Sequence, residues 1–256
     1  MKFALVNGER QEPEPNLSGS CPSCGSPMIS RCGEVRVRHW AHKGRRDCDP
    51  WWEPESEWHR NWKNQFPIGW QEVVRHAPDG ERHIADVRTE AGCVIEFQHS
   101  YIKPEERRAR EAFYRPLVWV VDGLRRPRDR ARFLKTWEEG APVRRDSPFQ
   151  RIWSGEGALL RDWRASTAGV FFDFGEEILW WLLPKSEGDW VYVARVSRAE
   201  FIEAHRRLAT PARDVDSSVM ESIESADEAR QHRHLAPVPL EHDHLRRFRP
   251  RHRFRF

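Results

Sequence analysis

Apolar residues along this chain recur in two rhythms, and the changes from one to the other mark out its elements. At the start, Met1, Phe3, Ala4, Leu5 and Val6 predict a short strand ended by Asn7-Gly8, and further short strands are expected around residues 28–29 and 35–40. From Trp51 the rhythm becomes helical. Pro54 and neighbouring acids open a predicted helix in which Trp58 and Trp62 form one stripe, while Glu55, His59 and Lys63 fall four residues apart on another. Strands are then expected over residues 70–76, 83–89 and 93–99, with Asp79-Gly80 as the first turn. A helix over residues 104–114 is read as packing Ala109, Ala112 and Phe113 inward and turning Arg107, Arg108 and Arg110 outward; Leu117-Val118-Trp119-Val120-Val121 follows as a buried strand. The order is α-β-β-β-α-β, which places the chain in the α/β class.

Beyond residue 140, three apolar runs at residues 169–174, 178–183 and 190–196 read as strands, followed by a helix over 197–208. A small α+β region covering 141–210 is expected to pack on or beside the preceding domain, its tryptophans serving as core. From 211 to 256 the composition turns polar and charged and ends in alternating Arg and Phe, which predicts a disordered basic tail with affinity for polyanions.

The chain has 256 residues, enough for one or two compact domains and small appendages. With 32% charged residues and no apolar run near the length that crosses a bilayer, a cytoplasmic protein without membrane insertion is expected. The net charge of +3 is too small to name a partner by itself.

Four of the five cysteines crowd into the first fifth of the chain, and that clustering points to metal rather than disulfides. Cys21-Pro22-Ser23-Cys24-Gly25 is a turn that presents two thiolates, and His39-Trp40-Ala41-His42 offers two imidazoles. Their spacing departs from that of the DNA-reading ββα finger, so a knuckle or ribbon is the better reading of a zinc-binding module over residues 1–50. Cys21, Cys24, His39 and His42 are the first-choice Zn²⁺ ligands, with Cys48 or Cys32 as possible replacements for a histidine.

The second cluster is carboxylate. A three-residue loop, Glu90-Ala91-Gly92 with Gly92 left-handed, would set Asp86 opposite Glu96, while Gln98 shares the face of Glu96 two residues on. Val94, Ile95 and Phe97 make that strand apolar except at these two positions, so Glu96 and Gln98 interrupt what should be core. Two carboxylates pointing together call for a cation, and a hard ion such as Mg²⁺ or Mn²⁺ suits oxygen ligands.

The element order, with Asp86 on the second strand and Glu96-Phe97-Gln98 on the third, resembles the core of the restriction-endonuclease-like superfamily, the PD-(D/E)xK nucleases, with Gln98 where most members carry lysine. The ordered run of Cys21/Cys24, His39/His42, Glu55 to His59 with Lys63, Asp86, and Ile95 to Ser100 is similar to the competence protein CoiA-like family over residues 15–125. The resemblance implies a nuclease domain over residues 51–140 behind the zinc module, acting on DNA in uptake, recombination or defence. Asp86, Glu96 and the Phe97 carbonyl would hold Mg²⁺ and neutralise a phosphate under attack by water. Gln98 would orient that water or bind a phosphate oxygen, and Glu55, His59 and Lys63 would support the site from the first helix. The competing expectation is a zinc-containing DNA-binding protein whose degenerate nuclease fold grips without cutting.

Overall fold

A computed structural model describes residues 1–44, 48–51, 53–77, 79–145 and 147–207. The expected tail lies outside the described residues. The N-terminal strands, β1 (Ala4–Val6), β2 (Glu9–Gln11), β3 (Ser18–Ser20), β4 (Pro27–Arg31) and β5 (His39–His42), form an antiparallel sheet in the order β2-β1-β3-β4-β5. Its small core of Met1, Ala4, Met28 and Trp40 also buries Cys21 and Cys48. The strand expected over residues 35–40 begins only at His39, and the preceding residues form an exposed loop.

The second sheet is built from β6 (Gln71–His76), β7 (Arg82–Arg88), β8 (Val94–Gln98), β9 (Leu117–Asp122), β10 (Ala141–Pro142), β11 (Phe149–Trp153), β12 (Gly169–Asp173), β13 (Ile178–Glu187) and β14 (Trp190–Ser197). It carries nine strands in the order β10-β11-β14-β13-β12-β9-β8-β7-β6. Helix α1 (Glu57–Lys63) precedes β6, α2 (Pro104–Phe113) links β8 to β9, α3 (Asp129–Glu138) and α4 (Ala158–Trp163) lie between β9 and β12, and α5 (Arg198–Arg206) follows β14. From residue 57 to 122 the order is the expected α-β-β-β-α-β, with one added turn of 3-10 helix at Ile68–Trp70.

Alternation along the strands explains the layers. Leu117, Trp119 and Val121 of β9 point into a core shared with Phe133 of α3 and Leu159, Leu160 and Trp163 of α4. Val118 and Val120 point to the other face, where Trp62 of α1 and Phe201 of α5 cover the sheet. The sheet is therefore mixed and covered on both sides.

Around the large sheet the structure differs from expectation in three places. The strands after residue 140 are not an attached unit: β12 pairs in parallel with β9, Gly169 opposite Val118 through Asp173 opposite Asp122, and so continues the same sheet. Helix α1 starts at Glu57, because the Ser56 hydroxyl accepts the His59 N–H and caps it there, leaving Pro54 and Glu55 outside the helix. The faces of α2 also differ in part from the reading, although Phe113 packs against the core as expected. Arg107, Arg110 and Glu111 are buried, whereas Ala109 and Ala112 are exposed. Only Arg108 of the three arginines faces solvent, since Arg107 and Arg110 find buried carboxylate and carbonyl partners that offset the cost of desolvating them.

Candidate metal centre and carboxylate site

The Cys21 to Gly25 turn folds as the sequence dictates: Gly25 adopts φ +73° and its N–H donates to the Cys21 carbonyl at 2.9 Å, while the Ser23 N–H points at the Cys21 sulfur at 3.4 Å. This brings both thiols to one side. His42 at the end of β5 and Cys48 complete the set, and the four ligand atoms of Cys21, Cys24, His42 and Cys48 all lie within 4.8 Å of one another. The Cys24 sulfur is 3.3 Å from Nε2 of His42, and the Cys21 and Cys48 sulfurs are 3.7 Å apart.

His39 is not in this set, which corrects the first-choice reading. Residues three apart on an extended strand point to opposite faces, so an H-x2-H motif in β5 cannot aim both imidazoles at one ion. His39 instead hydrogen-bonds the Val37 carbonyl at 2.8 Å, and Cys48 takes the fourth place. Cys32 lies in the β4–β5 loop, apart from the cluster. The thiols are unequally acidic. Burial would raise Cys24, but hydrogen bonds from Ser26 and His42 outweigh it and bring it down to about 6, whereas burial and the neighbouring Cys21 push Cys48 up to about 12. A soft dication that can hold three thiolates and an imidazole in a tetrahedron suits this donor set.

The carboxylate site forms where the large sheet opens. The β7–β8 hairpin turns through Gly92 at φ +86°, and its ladder pairs Arg88 with Val94 and Val87 with Ile95, a register that sets Asp86 opposite Glu96. The ladder stops there. Instead of the regular strand-to-strand bonds, the Asp86 N–H donates to Oε1 of Glu96 at 3.2 Å and the Phe97 N–H donates to Oδ2 of Asp86 at 3.0 Å. The two carboxylates thus hold the strand ends apart, and a cavity lined by Glu55, His59, Lys63, Glu72, Asp86 and Glu96 occupies the gap.

Cations reach the pair from both faces of the sheet. Lys63 of α1 places its ammonium 3.2 Å from Asp86, 3.0 Å from Glu72 and 3.5 Å from Glu55. Burial opposes its charge, but the three carboxylates outweigh that and raise it well above an ordinary lysine. Arg110 of α2 meets Oε2 of Glu96 at 3.0 Å. Burial and the facing Asp86 nevertheless raise Glu96 to about 8, beyond what Arg110 offsets. His59 donates through Nε2 to the Phe97 carbonyl, and Glu55 is held by two bonds from Arg60, each 2.9 Å.

Glu72 and Arg110 were missed in the sequence reading. Alternation in β6 would bury one of Gln71 and Glu72, yet both are buried, because Glu72 takes φ +47° and breaks the pleat. Its carboxylate accepts the backbone N–H groups of Lys2 and Phe3, at 2.7 and 3.0 Å, as well as Lys63. Burial works against the Glu72 charge, but Lys63 and these donors hold it at about 2. In the mostly polar strand Gln71–His76 no pattern singled out Glu72, and for Arg110 the helical spacing pointed the wrong way.

Glu55, His59, Lys63, Asp86 and Glu96 all come together around the cavity. Gln98 stands beside it rather than in it. Its amide donates to Glu53 at 2.6 Å and to the Ser100 carbonyl at 3.2 Å. The oxygens of Asp86 and Glu96, with the Phe97 carbonyl, are hard donors suited to a divalent cation, and the raised Glu96 marks a pair that is not fully neutralised. Each of these oxygens already accepts one N–H, from Lys63, Arg110 or His59, and keeps a second lone pair with which it could meet an ion.

Among the described residues no helix is long and apolar enough to cross a membrane. Residues 18–50 match the model of the competence protein CoiA N-terminal domain, a stretch that holds Cys21, Cys24, His42 and Cys48. The competence protein CoiA of Bacillus subtilis (strain 168) is 26% identical over 112 residues, which cover 40% of this chain and 30% of the relative. The chain therefore matches less than a third of the length of that curated relative. No solved structure matches the chain. The motif order and these two matches agree that the chain is similar to competence protein CoiA.

Proposed function

We propose that the protein is a divalent-metal-dependent nuclease that hydrolyses DNA phosphodiester bonds, with a restriction-endonuclease-like αβββαβ core over residues 57–122 and an N-terminal module held by structural Zn²⁺. The observation that supports it best is the pairing of Asp86 with buried Glu96 in one cavity, with the Lys63 ammonium 3.2 Å from Asp86. Buried like charges are costly, and a fold that keeps them facing each other in a reachable cavity has a use for them. Asp86, Glu96 and the Phe97 carbonyl would hold Mg²⁺ or Mn²⁺, which supplies positive charge to a phosphate gaining a fifth oxygen.

The remaining roles follow from what each side chain touches. Lys63 brings a permanent positive charge to the place that Gln98, an amide turned toward Glu53, leaves without one. We assign it to a non-bridging phosphate oxygen. His59 fixes the direction of the Phe97 carbonyl, and Arg110 holds Glu96 from α2. Arg60 keeps Glu55 at the cavity wall, and Glu72 anchors Lys63 between α1 and β6. Zn²⁺ at Cys21, Cys24, His42 and Cys48 would fasten the small N-terminal sheet, whose core is too slight to stand without it.

A second reading is favoured by the same ion pairs. Lys63 and Arg110 can neutralise the carboxylates without any metal, as a non-cutting DNA-binding protein would allow. Cleavage of single-stranded, duplex and branched DNA with Mg²⁺ or Mn²⁺ separates the two. Activity abolished by EDTA and by Asp86→Asn supports the nuclease; binding without any cutting transfers the function to the second reading.

A further inference from the structure

Among the described residues, the loop between β4 and β5 carries the most exposed large apolar side chain. Val35 is 97% exposed, the highest value of any large apolar residue described. Arg31, Arg36 and Arg38 around it are also exposed, against one acid, Glu34. A tip of this kind has no stabilising role inside the fold. Its uncovered valine costs solvation free energy, and its arginines repel each other.

The base of the hairpin, by contrast, is held at two points. On one side β5 ends at His42, in the cysteine cluster, and β4 follows directly on the Cys21/Cys24 turn. On the other side the Arg38 carbonyl accepts Nη2 of Arg60 at 2.8 Å, and the same Nη2 reaches Oε2 of Glu55, in the cavity wall, at 2.9 Å. One guanidinium therefore joins the root of the exposed tip to the rim of the carboxylate cavity.

We propose that the β4–β5 hairpin is a nucleic-acid finger, with Arg31, Arg36 and Arg38 on backbone phosphates and Val35 wedged against bases or a base step. This deepens the nuclease reading, on which it rests for the destination of the bound strand. The charges fit: arginine pairs with phosphate through a planar fork of donors, and an apolar side chain can insert between bases and unstack them. Phosphate contacts alone would hold either duplex or single strand, and the wedge favours the form whose bases are already unstacked.

The test uses the full zinc-loaded chain and fluorescently labelled duplex and single-stranded oligonucleotides, with binding read by anisotropy in Ca²⁺ over a range of salt. Arg36→Glu with Arg38→Glu should weaken binding at least tenfold at about 0.1 M salt and lower the log–log salt slope by about 2, the loss of two phosphate contacts. Val35→Ser should weaken single-strand binding several-fold and leave the slope unchanged. Zinc content and thermal unfolding equal to wild type show that the variants are folded; if the charge reversals disturb them, Arg36→Gln with Arg38→Gln gives the same comparison. Wild-type affinity in all these variants would overturn the finger while leaving the nuclease reading in place. Finger-dependent binding without cleavage would keep the finger and remove the nuclease. DNA binding that is unchanged while association with a protein is lost would give the surface to that protein and overturn the proposal.

Discussion

Trp62 donates its indole N–H to Oδ2 of Asp173 at 2.8 Å, joining two residues that lie 111 positions apart. Trp58, one turn earlier on α1, donates to the same oxygen at 2.9 Å, and Arg198 meets Oδ1 at 2.6 Å. Asp173 is only 2% exposed, and it fixes the stripe of α1 next to His59 and Lys63. A strand from the last third of the described chain therefore sets the position of a helix that lines the cavity. Asp173→Ala strands two indole N–H groups and a guanidinium, and should cost about 3 kcal/mol of stability, read as a shift in the urea midpoint. Asp173→Asn, which keeps an acceptor, should cost less. Equal stability of wild type and the alanine variant would show that α1 is held by packing alone.

The revised ligand set makes a sharp metal prediction. Cys48→Ala should lower bound zinc and thermal stability together, whereas His39→Ala should retain about one zinc per chain, measured by elemental analysis after dialysis. The opposite pattern would restore the H-x2-H reading.

At the carboxylate site, Asp86→Asn and Glu96→Gln should each reduce cleavage by about 10²-fold or more without loss of DNA binding, because removing a negative charge beside the phosphate favours binding as it disables the site. Lys63→Met should fall comparably. Gln98→Ala, away from the cavity, should lose less than about tenfold, through Glu53 and not through substrate. Cleavage rates under single-turnover conditions would check this, and a Gln98→Ala loss as deep as that of Lys63→Met would return the leading role to Gln98.

His205 on α5 supplies a pH prediction away from both sites. It is buried, donates Nδ1–H to the Phe201 carbonyl at 2.7 Å, and its Nε2 has no hydrogen-bond partner among the described residues. Burial lowers its proton affinity from the usual 6.5. The unfolded chain then binds the proton more readily than the fold, so the stability contributed by the neutral ring is fully present above about pH 6.5 and declines as pH falls from there through the lowered value. Urea midpoints between pH 7.5 and 5.5 should drop for wild type and drop less for His205→Phe; parallel pH profiles would remove His205 as the cause.

What the sequence determined by itself was local. Periods of two and of about four residues located α1, β6 to β9 and α2, and the Gly92 loop set the Asp86/Glu96 register, because short-range geometry alone decides these. The CxxC turn was legible for the same reason. What only the tertiary structure decided depended on which partners arrive from far along the chain. His42 with Cys48, rather than His39, faces the thiols because strand alternation sends the two imidazoles to opposite sides. Arg110 turns inward because Glu96 waits there, overriding an apolar stripe too weak, with two alanines, to orient the helix. Glu72 joins the cavity through a backbone conformation that no pattern announces, and β12 joins β9 across a crossover of 46 residues, where pairing is chosen by the fit of two buried surfaces rather than by any local signal.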